Sequence, residues 1–406
     1  MGDPVKMKRI LGNEAARQVS IIVLLLLAKA VLLGYGDRLP PAPWPTGTVR
    51  SWSNRLVETM SSRELNKEAR EALTAGYYEG LLNEGSRLSG MNRLVTDNRV
   101  PDFRDNAQPD RRETHDFLFY ELIPNSDIPD YRDNRARYRL KTNSVGIADR
   151  EYPLEKPPHV RRIAMMGDSI TRGQGAPFGE TFEALLERAL DAKVKTAAPD
   201  AGVEILNFAV GSYNITQQME MARTRAARYR PDVYVFALSP LSVYRSWARH
   251  VALMLNAGVD LKYDYIRTLV KDADVRVNES MGVFDAKMSK FRLPTIRWVL
   301  GEMQAQARQE GAQMLVLLVP DVSYSAQISE SFLGIPEILR ALQIPVVSLV
   351  ETFEGAPDLS PYRVADNDRH PNAAGHKRLF ERLYGTLESD PALMRIVLGE
   401  RADARR

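Results

Sequence analysis

Hydrophobic and polar positions alternate along this chain with several distinct textures. From Val19 to Tyr35 the sequence VSIIVLLLLAKAVLLGY is apolar apart from Ser20 and Lys29. Residues 51 to 100 place apolar and charged side chains at helical spacing around LNKEAREALTAGYYEGLLN, which predicts one or two amphipathic helices. Residues 101 to 160 hold few apolar runs and carry turn signals such as Ile123-Pro124-Asn125 and Asn143-Ser144-Val145-Gly146. That texture predicts a helical and loop-rich lead-in region over 51–160, with short strands at most. From Arg161 onward, five short apolar runs are separated by helical patterns: RRIAMMGDS, VEILNFAV, DVYVFALS, QMLVLLVP and IPVVSLV.

Strands alternating with helices build parallel β-α-β units. The expectation is therefore an α/β fold over 161–390: a doubly wound, flavodoxin-like, mostly parallel five-stranded sheet in a three-layer α/β/α arrangement. Residues 243–294 lengthen the connection between the third and fourth runs and are expected to add helices or a lid. Residues 391–406 read as a C-terminal tail.

The apolar run near the N-terminus changes where this domain is expected to work. A membrane-spanning helix needs about 20 apolar residues, with a lower limit near 17. Lys6, Lys8, Arg9 and Arg17 precede the run, so residues 1–18 read as a basic cytoplasmic tail and 19–36 as a transmembrane anchor or a signal segment. Ala28-Lys29-Ala30 has the small-x-small form of a cleavage site, so secretion after cleavage is the alternative. Either way the rest of the chain is expected outside the cytoplasm. Residues 37–50, with Pro40, Pro41, Pro43 and Pro45, read as a stiff extended linker.

Composition mainly excludes. Among 406 residues, 55 Lys plus Arg face 52 Asp plus Glu, for a formal charge of +3, and no basic track interleaved with aromatics appears; nucleic acid is not an expected partner. The chain has no cysteine and only five histidines, which removes thiolate nucleophiles and makes a histidine-rich metal site a poor expectation. No cofactor and no metal are expected, and a metal-dependent phosphoesterase finds no ligand cluster.

Candidate chemistry gathers at the ends of the strand runs. Ser169 follows the first run in Met166-Gly167-Asp168-Ser169-Ile170-Thr171, before a helix expected to begin near Thr181. Ligands of doubly wound sheets bind at the carboxyl ends of the strands, so a serine here faces the crevice. Near the C-terminus, Asp366-Asn367-Asp368-Arg369-His370-Pro371-Asn372 precedes a closing amphipathic helix; a histidine held by a carboxylate is what a serine nucleophile needs as its base. Asp368, two residues before His370, and Asp366, four before it, are the candidate acids, and His376 reads as a packing or capping residue.

Gly167-Asp168-Ser169 with Gly173 and Gly175, the stretch Asn207 to Asn214 with Gln217, and His370-Pro371-Asn372 together resemble the SGNH, or GDSL, hydrolase family over about residues 120 to 390. The lead-in from Thr142 to Arg162 resembles that of its membrane-anchored bacterial members. The resemblance implies a serine esterase with Ser169 as nucleophile, His370 as base and Asp368 as its partner. It also implies an oxyanion hole from the backbone N–H groups of Ser169 and Ser212, with Gly211 one step away. Where the family places an oxyanion-hole asparagine, this chain has Leu241, within Ser239-Pro240-Leu241-Ser242. Ser239, Ser242 or Asn214 are candidate substitutes for the missing donor. The implied substrate is an O-acyl ester, such as an acetyl ester, of a cell-envelope or extracellular glycan or another small ester. The alternatives are an O-acyltransferase using the same triad, or a degenerate member that binds glycan or scaffolds without turnover.

Overall fold

The computed structural model describes residues 109–129, 138–244, 246–365 and 368–399. The expected anchor at 19–36, the linker at 37–50 and the amphipathic stretch at 51–100 lie outside the described residues, as do Asp366 and Asn367. Among the described residues no helix is long and apolar enough to cross a membrane.

Two small hairpins come first: β1 (Arg111–Glu113) with β2 (Tyr120–Leu122), and β3 (Asp127–Pro129) with β4 (Arg139–Lys141), both antiparallel. The five apolar runs then form β5 (Val160–Met166), β6 (Gly202–Asn207), β7 (Val233–Leu238), β8 (Gln313–Leu318) and β9 (Val346–Ser348). They make one sheet in the order β6-β5-β7-β8-β9, every pair parallel. This is the expected doubly wound five-stranded sheet. Parallel strands covered on both faces read as unbroken apolar runs, which is why the strands stood out in the sequence.

Side chains of successive strand residues leave opposite faces of a sheet. Ile163 and Met165 of β5 accordingly join one core with Phe182, Leu186, Leu190, Leu379 and Leu383, whereas Ala164 and Met166 join the other with Met219, Val299, Leu300 and Met303. The first face is covered by α2 (Phe182–Ala197) and α11 (Ala373–Ser389). The second carries α3 (Ile215–Thr224), α8 (Arg292–Gln309) and α10 (Ile335–Leu342). Remaining helices are α1 (Ser169–Arg172), α4 (Pro240–Tyr244), α5 (Ser246–Ala257), α6 (Asp264–Asp272), α7 (Met281–Met288), α9 (Ser325–Ile328) and α12 (Pro391–Leu398), with β10 (Arg363–Ala365) and β11 (Asp368–Pro371) forming a last hairpin.

Two sequence expectations are refined. The 243–294 insertion supplies helices α5 to α7, and Trp247, Val251, Met254, Ile266, Phe284 and Met288 are buried in the second core, so these helices are part of the packed body. Residues 391–398, read as tail, instead form α12. Asp390 caps its first turn, and Met394, Val397 and Leu398 are buried in the first core. The segment is too short for its period to register in a sequence window.

One buried ion pair ties the lead-in to the sheet. Arg162, fully buried on β5, stands opposite Glu204 on β6 and donates from Nε to its carboxylate at 2.8 Å. Its other nitrogens donate to the carbonyls of Pro153, Leu154 and Tyr229. Breaking a buried pair strands the remaining charge and typically costs about 3–5 kcal/mol. Arg162→Ala is expected to lose stability on that scale in urea unfolding; a loss under about 1 kcal/mol shows the network contributes little.

Candidate active site

β5 ends at Met166, and the chain turns at Gly167 directly into α1, whose first residue is Ser169. Thr171 forces the glycine: a Cβ at position 167 meets Thr171 Cβ at 2.4 Å. Asp168 caps α1 by accepting from the Ile170 N–H at 3.1 Å, and its other oxygen accepts from Ser239 Oγ at the end of β7. Burial pushes the Asp168 carboxyl upward, opposed by these hydrogen bonds and by His370. The short helix α1 starts well before Thr181, which instead caps α2 through the Ala184 N–H.

His370 reaches this turn from β11. Its Nε2 lies 2.8 Å from Ser169 Oγ, and its Nδ1 lies 2.5 Å from Asp368 Oδ1. The same carboxylate oxygen accepts from the His370 N–H at 3.0 Å. Residues two apart on an extended strand share a face, so the Asp-x-His spacing on β11 directs both side chains to one side. Ser169 and His370 are buried, 3 % and 8 % exposed, which keeps this chain of hydrogen bonds out of bulk water. His376 stands apart from it: fully buried, it stacks on Phe182, accepts the Phe182 N–H at 3.2 Å and is held near pKa 3 by burial.

The loop after β6 is laced to the loop after β5. The Phe208 N–H donates to Met165 O and the Val210 N–H to Gly167 O, which brings Gly211 and Ser212 beside the nucleophile. A Cβ at Gly211 falls 3.8 Å from Ser169 Cβ. Ser212 has φ +67°, a left-handed conformation in which glycine is the ordinary occupant. Among the described residues the Ser212 N–H donates to no protein acceptor, and Ser169 is the first residue of α1, where N–H groups have no intrahelical partner.

If Ser212 contributes through its backbone alone, its side chain is dispensable. Ser212→Gly is expected to keep kcat/KM within about threefold and to raise stability by up to about 1 kcal/mol, the strain of an αL side chain less glycine's extra chain entropy. Steady-state kinetics and thermal melts check both; a large loss of rate with the fold intact assigns the work to the hydroxyl.

Leu241 lies on α4, and the three proposed substitutes for the family's asparagine are otherwise engaged. Ser239 Oγ donates to Asp168, Ser242 Oγ donates to the Ser239 carbonyl at 3.0 Å, and the Asn214 carbonyl oxygen caps α3 by accepting from Thr216 and Gln217. A cavity of about 310 Å³ opens along Gly173, Gln174, Phe178 and Arg150; Ser169, Ser212 and His370 do not line it.

Sequence reading passed over several residues here. Asp110 forms a buried pair at 2.7 Å with Arg172, the last residue of α1, with Arg111 alongside. Asp321, buried after β8, has its carboxyl pushed up by burial, against Ser323, Arg369 and His370. Asp110 and Arg111 sit in a polar stretch without periodicity, so only their proximity in space marks them.

Ser169, just past the carboxyl end of β5, and His370 and Asp368 on β11 are joined in sequence by hydrogen bonds, the arrangement that a serine hydrolase requires. Residues 165–378, more than half of the chain, match the GDSL-like lipase/acylhydrolase family, and the chain belongs to it. It is an ester-hydrolysing enzyme by that membership. No curated protein matches the chain. Among solved structures it is similar to TesA, at 15% identity over 56% of this chain and 99% of that chain, with a TM-score of 0.35. It is also similar to a two-domain esterase (CEX) active on acetylated mannans, at 14% identity over 57% of this chain, with a TM-score of 0.38; the chain spans 49% of that protein's length. A catalytic mutant of Axe2, an acetylxylan esterase from Geobacillus stearothermophilus, shares 12% identity over 55% of this chain and 93% of that chain, with a TM-score of 0.37.

Proposed function

We propose that this chain is a serine esterase in which Ser169 is the nucleophile, His370 the general base and acid, and Asp368 the group that orients His370. The observation that carries the reading is the unbroken sequence of contacts from Asp368 through both ring nitrogens of His370 to Ser169 Oγ, at 2.5 and 2.8 Å. Nδ1–H donates to Asp368, which leaves Nε2 with a lone pair facing the serine hydroxyl.

Attack forms the bond from Oγ to the acyl carbon while the hydroxyl proton passes to Nε2. The carbonyl π pair moves onto oxygen, where the N–H groups of Ser169 and Ser212 meet it. Collapse breaks the bond to the alcohol, which leaves with the proton from Nε2, and water repeats the sequence on the acyl-enzyme.

The substrate class follows from the N-terminal pattern of residues 19–36, which favours export and tethering by a membrane helix or secretion. An enzyme so located meets O-acetyl or related O-acyl esters of envelope and extracellular glycans. The same triad passes an acyl group to a glycan hydroxyl if that hydroxyl outcompetes water. Leu241 favours a second reading, in which the site binds ester-bearing glycan without turning it over.

Labelling by a fluorophosphonate probe, with acetate release from acetylated xylan and mannan measured alongside, separates these readings. Label on the intact protein that is absent from Ser169→Ala, together with released acetate, supports the esterase; an unlabelled protein that still binds glycan supports the second reading. Transfer appears as acetylated oligosaccharide in place of free acetate.

A further inference from the structure

We propose that the cavity of about 310 Å³ beside α1 is a subsite for a carboxylate-bearing sugar unit of the glycan. The inference deepens the reading above and rests on its glycan substrate.

The cavity begins where α1 ends. Its lining includes Arg172, the last residue of α1, and then Gln174, Ala176 and Phe178 from the connection to α2. Gln174 donates its backbone N–H to the Ser169 carbonyl at 3.0 Å. A helix rises about 1.5 Å per residue, so the lining starts roughly 5 Å along α1 from the nucleophile. A glycan whose ester lies at Ser169 thus has a neighbouring unit within reach of the cavity. The connection is held in place: a Cβ at Gly173 runs into Thr181 Cγ2, and Arg188 on α2 donates from Nη1 to the Gly179 carbonyl at 2.7 Å. About 310 Å³ is the lower end of the range for small-ligand sites, room for one sugar ring.

What the lining lacks is an acceptor. Arg172 and Gln174, 5 % and 4 % exposed, carry donors at Nε and Nε2 that meet no acceptor among the described residues. Buried donors left unpaired are costly, which favours a ligand that brings acceptor oxygens. The carboxyls of the lining are already supplied. Asp149 accepts from the N–H groups of Asn207 and Arg150 at 3.0 and 2.7 Å, and Glu187 from the Ile205 N–H and Arg150 Nε at 2.6 and 3.1 Å. Glu183 accepts from Asn207 Nδ2 at 3.1 Å.

Charge points the same way. Five basic side chains line the cavity, Arg139, Lys141, Arg150, Arg172 and Arg188, against the three carboxyls. Arg139, Arg150 and Arg172 pair with Asp127, Glu187 and Asp110. Arg188 is held by the Gly179 carbonyl through Nη1, and Lys141 pairs with the Asp127 carboxylate only at 3.8 Å, so both exposed side chains have donors to offer a ligand. Burial and Glu187 push the Asp149 carboxyl upward, and burial does the same to Glu183, which makes the lining more positive still. Guanidinium and ammonium groups hold a carboxylate through charge-assisted hydrogen bonds. Phe178, 48 % exposed, with Leu140 and Ala176, offers an apolar surface to the C–H face of a sugar ring.

The test titrates the full chain by calorimetry with digalacturonic acid, with xylobiose and with inorganic phosphate. Digalacturonic acid is expected to bind, and xylobiose, which lacks the carboxylate, to bind at least about tenfold more weakly, the effect of losing one charged hydrogen bond. Lys141→Glu and Arg188→Gln change exposed side chains and are each expected to weaken digalacturonic acid about tenfold, with Arg188→Lys recovering part of the loss. In the same variants the ratio of kcat/KM for acetylated galacturonate oligosaccharide over acetylated xylooligosaccharide is expected to fall by a similar factor. Equal affinity for the two disaccharides, phosphate bound in preference to digalacturonic acid, or an acid preference unchanged in both folded variants overturns the proposal. Hydrolysis of p-nitrophenyl acetate, which carries no group for the subsite, tests the esterase reading separately. A chain that binds digalacturonic acid through Lys141 and Arg188 yet hydrolyses no ester overturns that reading and supports the subsite.

Discussion

Ser169→Ala is expected to lower kcat/KM for p-nitrophenyl acetate by about 10⁶-fold, the scale on which a serine triad fails without its nucleophile. The side chain's hydrogen-bond partner is His370 Nε2, and the turn that presents it is set by Gly167 and by the Asp168 cap, which the substitution leaves in place. The folded site, its N–H groups and the acyl-binding surface therefore survive, and what is lost is the acyl-enzyme path alone. Residual activity is expected from polarisation of the carbonyl by the remaining donors. Steady-state kinetics with a thermal melt of the variant measure this; activity within about tenfold of wild type in a folded protein removes Ser169 as the nucleophile.

Asp368→Asn is expected to cost about 10⁴-fold in kcat near neutral pH with almost no change in structure. The carboxylate Oδ1 accepts from Nδ1 at 2.5 Å and from the backbone N–H of His370 at 3.0 Å, so it fixes both the ring and the strand that carries it. An amide of the same shape keeps the packing but presents its NH₂ toward Nδ1, which favours the tautomer with the proton on Nε2. The nitrogen facing Ser169 then has no lone pair with which to take the hydroxyl proton. Kinetics on Asp368→Asn, with the imidazole proton resonances assigned by NMR, reads the tautomer directly; unchanged kcat with the proton still on Nδ1 assigns the orienting role elsewhere.

The sequence was most informative where structure is local and periodic. Runs such as VEILNFAV and QMLVLLVP became β6 and β8 because a strand buried on both faces must be apolar at nearly every position. The amphipathic stretches after Thr181 and Asn372 became α2 and α11, each with its polar cap in place. Short elements escaped: α1 spans four residues and α12 eight, too few for a hydrophobic period to show.

At the site, chain order and residue type picked out Ser169, Asp368 and His370. Whether the acid lay two or four residues before the histidine was left open by spacing alone. The extended backbone of β11 brings Asp368 to the ring, because alternate strand residues share a face. Nothing in the sequence marked Ser212 as a residue with positive φ, since backbone dihedrals are imposed by the lacing of its loop to Gly167 and Met165.

By itself, then, the sequence determined the parallel sheet and the order of Ser169, Asp368 and His370 along the chain and, through the family resemblance, marked Leu241 where an asparagine is usual. Only the tertiary structure decided which side chains surround the nucleophile. Asp110 and Arg111 are far from Ser169 along the chain and lie in a stretch with no pattern of its own. They reach the site because Tyr120 and Leu118 dock their hairpin onto the loop after β6. Periodicity reports contacts a few residues apart, whereas an active site is assembled from contacts across the whole fold.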